Sequence, residues 1–198
     1  MAKLQVSYIS TKDLTRLGVD SGDGCKLKDT GLPEFLSSTA AGWNARFIVE
    51  TWFYGEPIEV SVGLAIAARH TGGRHVCIVP DERSKVEYLY AMAQMGVLPG
   101  PEVVVGEAAT AVAQLAGLEF LLVDSRQREF ARVLTVARVS PRGAVLVCKN
   151  AHERNFSGVF RWNLVLRQDV PFERSVFLPF GNGVDIAYIA APPIPSNL

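Results

Sequence analysis

The chain has 198 residues, 48% of them hydrophobic, and its 20 basic and 20 acidic side chains cancel to a formal net charge of zero. That length and composition fit one globular domain with a sizeable core, and the balanced charge, with no long run of one sign, argues against a nucleic-acid or anionic-membrane partner. The opening MAKLQVSYISTKDLTRLG lacks the apolar core of a signal peptide, and no stretch approaches the ~20 apolar residues of a membrane span, so the expectation is a soluble cytoplasmic protein.

Gly18–Gly31 carries four glycines and three aspartates with few apolar anchors and is expected to be a mobile loop. Pro33–Ala41 is predicted to be a short helix, with Pro33 in its first turn and Gly42 just past its end. Arg46–Glu50 is a β-branched and aromatic run, hence a strand. Ser61–His70 is small and apolar at helical spacing, with Thr71-Gly72-Gly73 to stop it, and His75–Val79 is a second strand. Such a βαβ unit is right-handed almost without exception and puts its first turn at the carboxyl edge of the sheet, where ligands of these sheets bind. In nucleotide-type sites that turn is glycine-rich, because a side chain there would hold the backbone away from the ligand. Here it reads Thr51-Trp52-Phe53-Tyr54-Gly55-Glu56-Pro57, in which only Gly55 is a glycine and Trp52 and Tyr54 are bulky.

The alternation continues. Ser84–Met95 is an amphipathic helix, Glu102–Val105 a strand, Ala108–Leu115 a helix and Phe120–Val123 a strand. Arg126–Val139 is helical by pattern, Pro141-Arg142-Gly143 turns it, and Ala144–Cys148 is a strand apolar on both faces, as central parallel strands are. Cys77 and Cys148 lie inside such runs, Cys25 is far from both, and all three read as reduced thiols and not as a disulfide or metal framework. Ser175–Phe180 and Val184–Ala190 are extended runs joined by Gly181-Asn182-Gly183, a strong hairpin signal. The chain therefore divides into an N-terminal, partly flexible segment (1–32), a single α/β domain (33–191) and a frayed tail (192–198). An open, mostly parallel sheet with helices on both faces that ends in an antiparallel hairpin is unlike a nicotinamide-binding domain. It is the arrangement of the Rossmann-like class I methyltransferase fold.

AAGWNARFIVETW, SVGLAIAARHTGGRHVCIVPDERS, EFLLVDSR, RGAVLVCKN and SVFLPFGNGVDIAYIAA together resemble an uncharacterised plant family, domain of unknown function 1442, usually labelled methyltransferase-like. The resemblance runs from about Ala40 to Ala191; the residues before Pro33 depart from it. More remotely, the layout is similar to caffeoyl-coenzyme A O-methyltransferases. The resemblance implies S-adenosylmethionine as cofactor, a small-molecule acceptor and a homodimer as one allowed assembly.

It also implies site residues. Glu50 ends the first strand, where the resembling enzymes carry an acid near the donor's methionine portion; a local capping or pairing role is the alternative. Thr51 and Gly55 belong to the turn that follows. Asp81 follows the second strand, where a carboxylate can accept from ribose hydroxyls or can start the next helix. Gly106-Glu107-Ala108 resembles a turn that touches adenine, and Glu107 alternatively caps a helix. Asp124 matches a cofactor-side and metal-binding aspartate of the metal-dependent enzymes, whose partners would be an Asp-Asn pair. This chain has Lys149-Asn150 there, and because an ammonium cannot ligate a cation, no metal site is expected. Asp124, Lys149 and Asn150 are the candidate catalytic residues. Lys149 is read as an acceptor-orienting cation, as a general base, or as an ion-pair partner of Asp124. His152 has no serine or cysteine nucleophile to serve, which argues against hydrolase chemistry. Two function classes remain: a metal-independent methyltransferase, and a catalytically inactive protein of the same fold that binds a ligand or partner.

Overall fold

The computed structural model describes residues 31–151 and 161–191. The predicted N-terminal loop up to residue 30, the segment carrying His152 and the tail lie outside the described residues. The elements in chain order are α1 (Leu32–Gly42), β1 (Phe47–Thr51), α2 (Glu59–Thr71), β2 (Arg74–Val79), α3 (Glu82–Gln94), β3 (Glu102–Val105), α4 (Ala108–Ala113), β4 (Ala116–Leu118), β5 (Phe120–Asp124), α5 (Phe130–Val136), β6 (Arg138–Val139), β7 (Ala144–Lys149), α6 (Trp162–Val165), β8 (Phe172–Leu178) and β9 (Val184–Ile189).

Seven strands form one sheet in the order β3-β2-β1-β5-β7-β9-β8. β3, β2, β1, β5 and β7 run parallel, and β9 pairs antiparallel with both β7 and β8. The parallel centre follows from sequence: Phe120–Asp124 and Ala144–Lys149 are buried at every position, as strands covered by helices on both faces must be. Alternation then sorts the side chains. Val49, Ile78, Leu121, Val123 and Leu146 pack with α4 and α5, while Ile48, Phe120, Leu122 and Val147 pack with α1 and α2 on the opposite face. Leu32, Leu36 and Ala40 form the buried stripe of α1 at helical spacing. It lies close on α2, where a Cβ on Gly63 would come within 2.7 Å of the Pro33 carbonyl oxygen.

The predicted helix over Arg126–Val139 is shorter than its pattern. Residues 125–127 are held in a turn, because Ser125 N–H donates to the Lys149 carbonyl at 3.0 Å, Gln127 N–H to the Asp124 carbonyl at 3.0 Å, and Arg126 N–H to Asp124 Oδ1 at 2.9 Å. At the far end Ala137 is extended (ψ 129°) and Ser140 N–H donates to Leu118 at 2.8 Å, which draws 138–139 into a parallel pair with β4. The hairpin is as predicted in kind, although its first strand begins at Phe172 and ends at Leu178. Cys77 and Cys148 are buried, and neither forms a disulfide. Among the described residues no helix is long and apolar enough to cross a membrane.

Gly143 closes the turn into β7 with φ 93°, and a Cβ there would stand 2.5 Å from the Ile189 carbonyl oxygen. Both the left-handed backbone and the contact exclude a side chain. Gly143→Ala is therefore expected to lose about 2 kcal/mol or more in urea unfolding, and a change within experimental error would show that the turn relaxes freely.

Candidate functional site

The carboxyl ends of β1, β2 and β3 and the start of α5 enclose a cavity of about 460 Å³, walled by Thr51, Trp52 and Phe53, by Ile78–Pro80, by Gly106–Ala108, and by residues 127–130 with Val133. That volume lies in the ~300–1,000 Å³ range of small-molecule sites. The bulky residues of the first turn wall this space without filling it. Trp52 is buried among Cys77, Val79, Tyr88 and Met92, edge-on to Tyr88 at 5.4 Å. Tyr54 turns outward, 46% exposed, under the Arg83 guanidinium at 3.7 Å. Phe53 stays on the wall with the Arg126 guanidinium 5.3 Å from its ring centre.

Three of the predicted cofactor residues line this cavity: Thr51, Gly106 and Glu107. No atom lies within 4 Å of where a Gly106 Cβ would stand, so the glycine leaves that wall open. Glu107 caps α4, accepting from the amides of Ala109 at 3.2 Å and Thr110 at 2.8 Å and from the Thr110 hydroxyl. The Thr110 hydroxyl and amide hold its carboxyl below the ordinary value. Asp81, beside the wall residue Pro80, caps α3 by accepting from Ser84 N–H at 2.7 Å, and that bond lowers its pKa. The helix-start roles are thus realised in both; Glu107 lies on the cavity wall and Asp81 one residue beyond it.

Glu50 and Gly55 are not on the cavity wall. Strand alternation turns Glu50 to the opposite face from Thr51. There it is 1% exposed and accepts from Tyr88 OH at 2.7 Å and Ser61 Oγ at 2.9 Å, with His75 Nε2 3.1 Å away as an ion-pair contact. Burial pushes its pKa up, but His75, Tyr88 and Ser61 outweigh burial and hold it below the ordinary 4.5. Gly55 takes φ 78°, and its N–H reaches Glu87 Oε1 at 3.3 Å. The pocket sought around Glu50 in sequence is occupied by this local network.

A second, smaller cavity of about 140 Å³ opens on the other side of the same turn, lined by Glu56, Pro57, Arg126, Lys149 and Asn150 and closed by Leu32, Val60, Phe180 and Asn182–Val184. Of the readings left open for Lys149, the ion pair forms with a different partner from Asp124. Asp124, fully buried, accepts from Arg126 Nη2 at 2.6 Å and Nε at 3.1 Å and from Asn150 Nδ2 at 2.9 Å. The planar guanidinium, two residues on, fits the carboxylate through two nitrogens, which an ammonium cannot do. Lys149 pairs instead with Glu56, the two side chains being 9% and 1% exposed. Asn150, at φ 57°, also accepts from Asn182 Nδ2 at 3.3 Å and so ties the Asp124 cluster to the hairpin turn. Arg126 and Glu56 were missed in the sequence. The arginine two residues after a strand-ending aspartate was a usable signal; Glu56 sits in an irregular turn and gave none.

The strand order, the reversed β9 and the carboxyl-edge crevice define the class I methyltransferase fold, and solved structures agree. A methyltransferase from Geobacter sulfurreducens is 22% identical over 83% of this chain and 81% of its own, with a TM-score of 0.61. The O-methyltransferase TomG from Streptomyces achromogenes, involved in tomaymycin synthesis and solved with SAM, is 24% identical over 80% and 79%, with a TM-score of 0.60. An O-methyltransferase from Bacillus cereus solved with SAH is 16% identical over 88% and 86%, with a TM-score of 0.62. No curated protein matches the sequence. Residues 15–196 match the family model described as "Protein of unknown function (DUF1442)", and the chain belongs to that family.

Proposed function

We propose that this protein binds S-adenosylmethionine in the larger cavity and methylates a small molecule without a metal ion. The observation that carries the reading is the open cavity at the carboxyl edge of β1–β3, kept clear although glycines are missing from the first turn. Thr51, Gly106 and Glu107 would hold the donor from the wall and Asp81 from just beyond it. When bound, the donor supplies an electrophilic methyl group, and the chain's task is to align donor and acceptor. Phe53 walls the larger cavity and Arg126 the smaller, and the two are stacked, so the smaller cavity is the acceptor side. Asp124 and Asn150 then act by fixing Arg126 and the hairpin turn around the acceptor, and Lys149 faces the acceptor with Glu56.

Metal independence rests on donor chemistry. A divalent cation of the calcium or magnesium type needs about six or more oxygen ligands, whereas Asp124 accepts from Arg126 and Asn150 and its strand neighbour is the Lys149 ammonium. The competing reading, a binding protein of this fold without catalysis, also takes support from the altered first turn.

Thermal melts with S-adenosylmethionine, S-adenosylhomocysteine and NAD test the proposal. A ligand present at about 100 times its dissociation constant adds about 2.7 kcal/mol. Both sulfur ligands are expected to raise the midpoint, NAD to leave it unchanged, and EDTA to have no effect. Absence of any shift with the sulfur ligands would remove both the cofactor and the activity.

A further inference from the structure

The larger cavity is walled by Thr51-Trp52-Phe53, the smaller by Glu56-Pro57, so the turn with bulky residues in place of glycines contributes to both walls. On the smaller side it delivers one unusual group. The Glu56 side chain is 1% exposed, and apart from the Lys149 ammonium, which contacts Oε1, no group among the described residues donates a hydrogen bond to either of its oxygens. A carboxylate has room for about four such bonds, and buried polar groups are rarely left without them. Glu56 therefore presents unfilled acceptor capacity in a cavity that already holds its counter-charge. The other charge on this cavity, Arg126, is matched by Asp124, which is fully buried and not itself on the lining. Counted with Asp124, the described residues around the cavity have no net charge to offer an anionic acceptor.

We propose that Glu56 is the proton acceptor for the methyl-accepting compound, with Lys149 as the cation that steadies the developing oxyanion. The acceptor class is a neutral hydroxyl compound whose inserted part is about one ring in size. The size follows from the volume: about 140 Å³ here, against an engineered cavity of roughly 150 Å³ that takes up benzene. Leu32, Val60 and Phe180 supply the apolar surface for the ring. The hydroxyl enters between the two charges, donating to Glu56 and accepting from Lys149. Glu56 takes the proton as the oxygen gains the methyl carbon, and the electron pair of the broken sulfur–carbon bond stays on the donor's sulfur. This inference rests on the methyltransferase reading.

The test uses the full chain and the variant Glu56→Gln, which keeps an oxygen for the Lys149 ammonium and for a donated hydroxyl but cannot take a proton. Melting curves and calorimetry with S-adenosylhomocysteine come first. Equal donor binding by both forms supports the inference, and no binding by wild type overturns it together with the parent reading. Ligand-observed NMR with the homocysteine product bound then compares phenol, toluene and benzoate. Phenol is expected to bind both proteins about tenfold or more tighter than toluene, and the wild type about tenfold or more tighter than benzoate, and equal binding of phenol and toluene would overturn the proposal. Finally, methyl transfer is followed by mass spectrometry. Glu56→Gln is expected to lose about 100-fold or more on phenol but little on 4-nitrophenol, whose ionised form needs no proton acceptor and meets, in the variant, a Lys149 charge that Glu56 no longer matches. Equal loss on both probes, or loss on neither, would contradict a proton-accepting role while leaving donor binding intact.

Discussion

Replacing Lys149 with methionine is expected to cost about 3–5 kcal/mol of folding stability, because it strands the Glu56 carboxylate in a buried site without its counter-charge. Among the described residues no group other than Lys149 donates a hydrogen bond to Glu56 to soften the loss. For a chain of this length such a loss lowers the melting midpoint by roughly 6–20 °C. The double variant Glu56→Leu/Lys149→Met is expected to melt close to wild type, since replacing both members of a buried pair by apolar groups is often neutral or stabilising. Urea unfolding of these two variants and of the single variant Glu56→Leu closes the cycle. A neutral Lys149→Met would mean that Glu56 reaches water by a path the structure does not show. The pair also bears on function: a lysine beside the smaller cavity, held at this energetic risk, fits the acceptor-side role proposed for it.

The Glu50 network is expected to govern the acid limb of stability. The folded carboxyl sits below its ordinary 4.5, so the unfolded chain takes up its proton first as pH falls. The stabilisation is therefore complete above about pH 4.5 and is lost as pH drops through the folded value. Glu119 adds to the same limb: burial raises its pKa, but the Arg46 amide at 2.6 Å and the Arg142 guanidinium hold it down. Tyr88→Phe removes the 2.7 Å hydroxyl contact and is expected to cost about 1.5–3 kcal/mol at neutral pH, as a hydrogen bond to a buried charge does. It should also flatten the loss of stability on acidification. Urea midpoints between pH 3.5 and 7 read both effects; an acid slope unchanged by the substitution would show that Tyr88 does not set the ionisation of Glu50.

The sheet was legible because its strands announce themselves by composition. Phe47–Val49, Val76–Val79 and Leu121–Val123 are short apolar runs, and Asn182-Gly183 marks the reversal between β8 and β9. What escaped was decided by tertiary bonds. Residues 126–139 carry helical spacing, but Asp124 and Lys149 capture the amides of Arg126 and Ser125, and Leu118 captures that of Ser140. β4 and β6 have three and two residues, too few for a period to show. In the site, Asp81 and Glu107 were readable as helix starts from their position after strands. Glu50 was not readable as a buried network member, because its partners Ser61, His75 and Tyr88 come from three other elements. Nor was the exchange of partners between Asp124 and Lys149, which depends on how Glu56 folds back from an irregular turn.

The central claim is that the larger cavity holds the methyl donor, and filling it tests that claim most directly. Ala108 stands on the wall at the first position of α4, where a large side chain would project into the space. Titration calorimetry of S-adenosylhomocysteine is expected to show saturable single-site binding to the wild type and none to Ala108→Trp, with both proteins melting alike. Undiminished binding by Ala108→Trp would place the donor elsewhere, and no binding by the wild type would contradict the account outright.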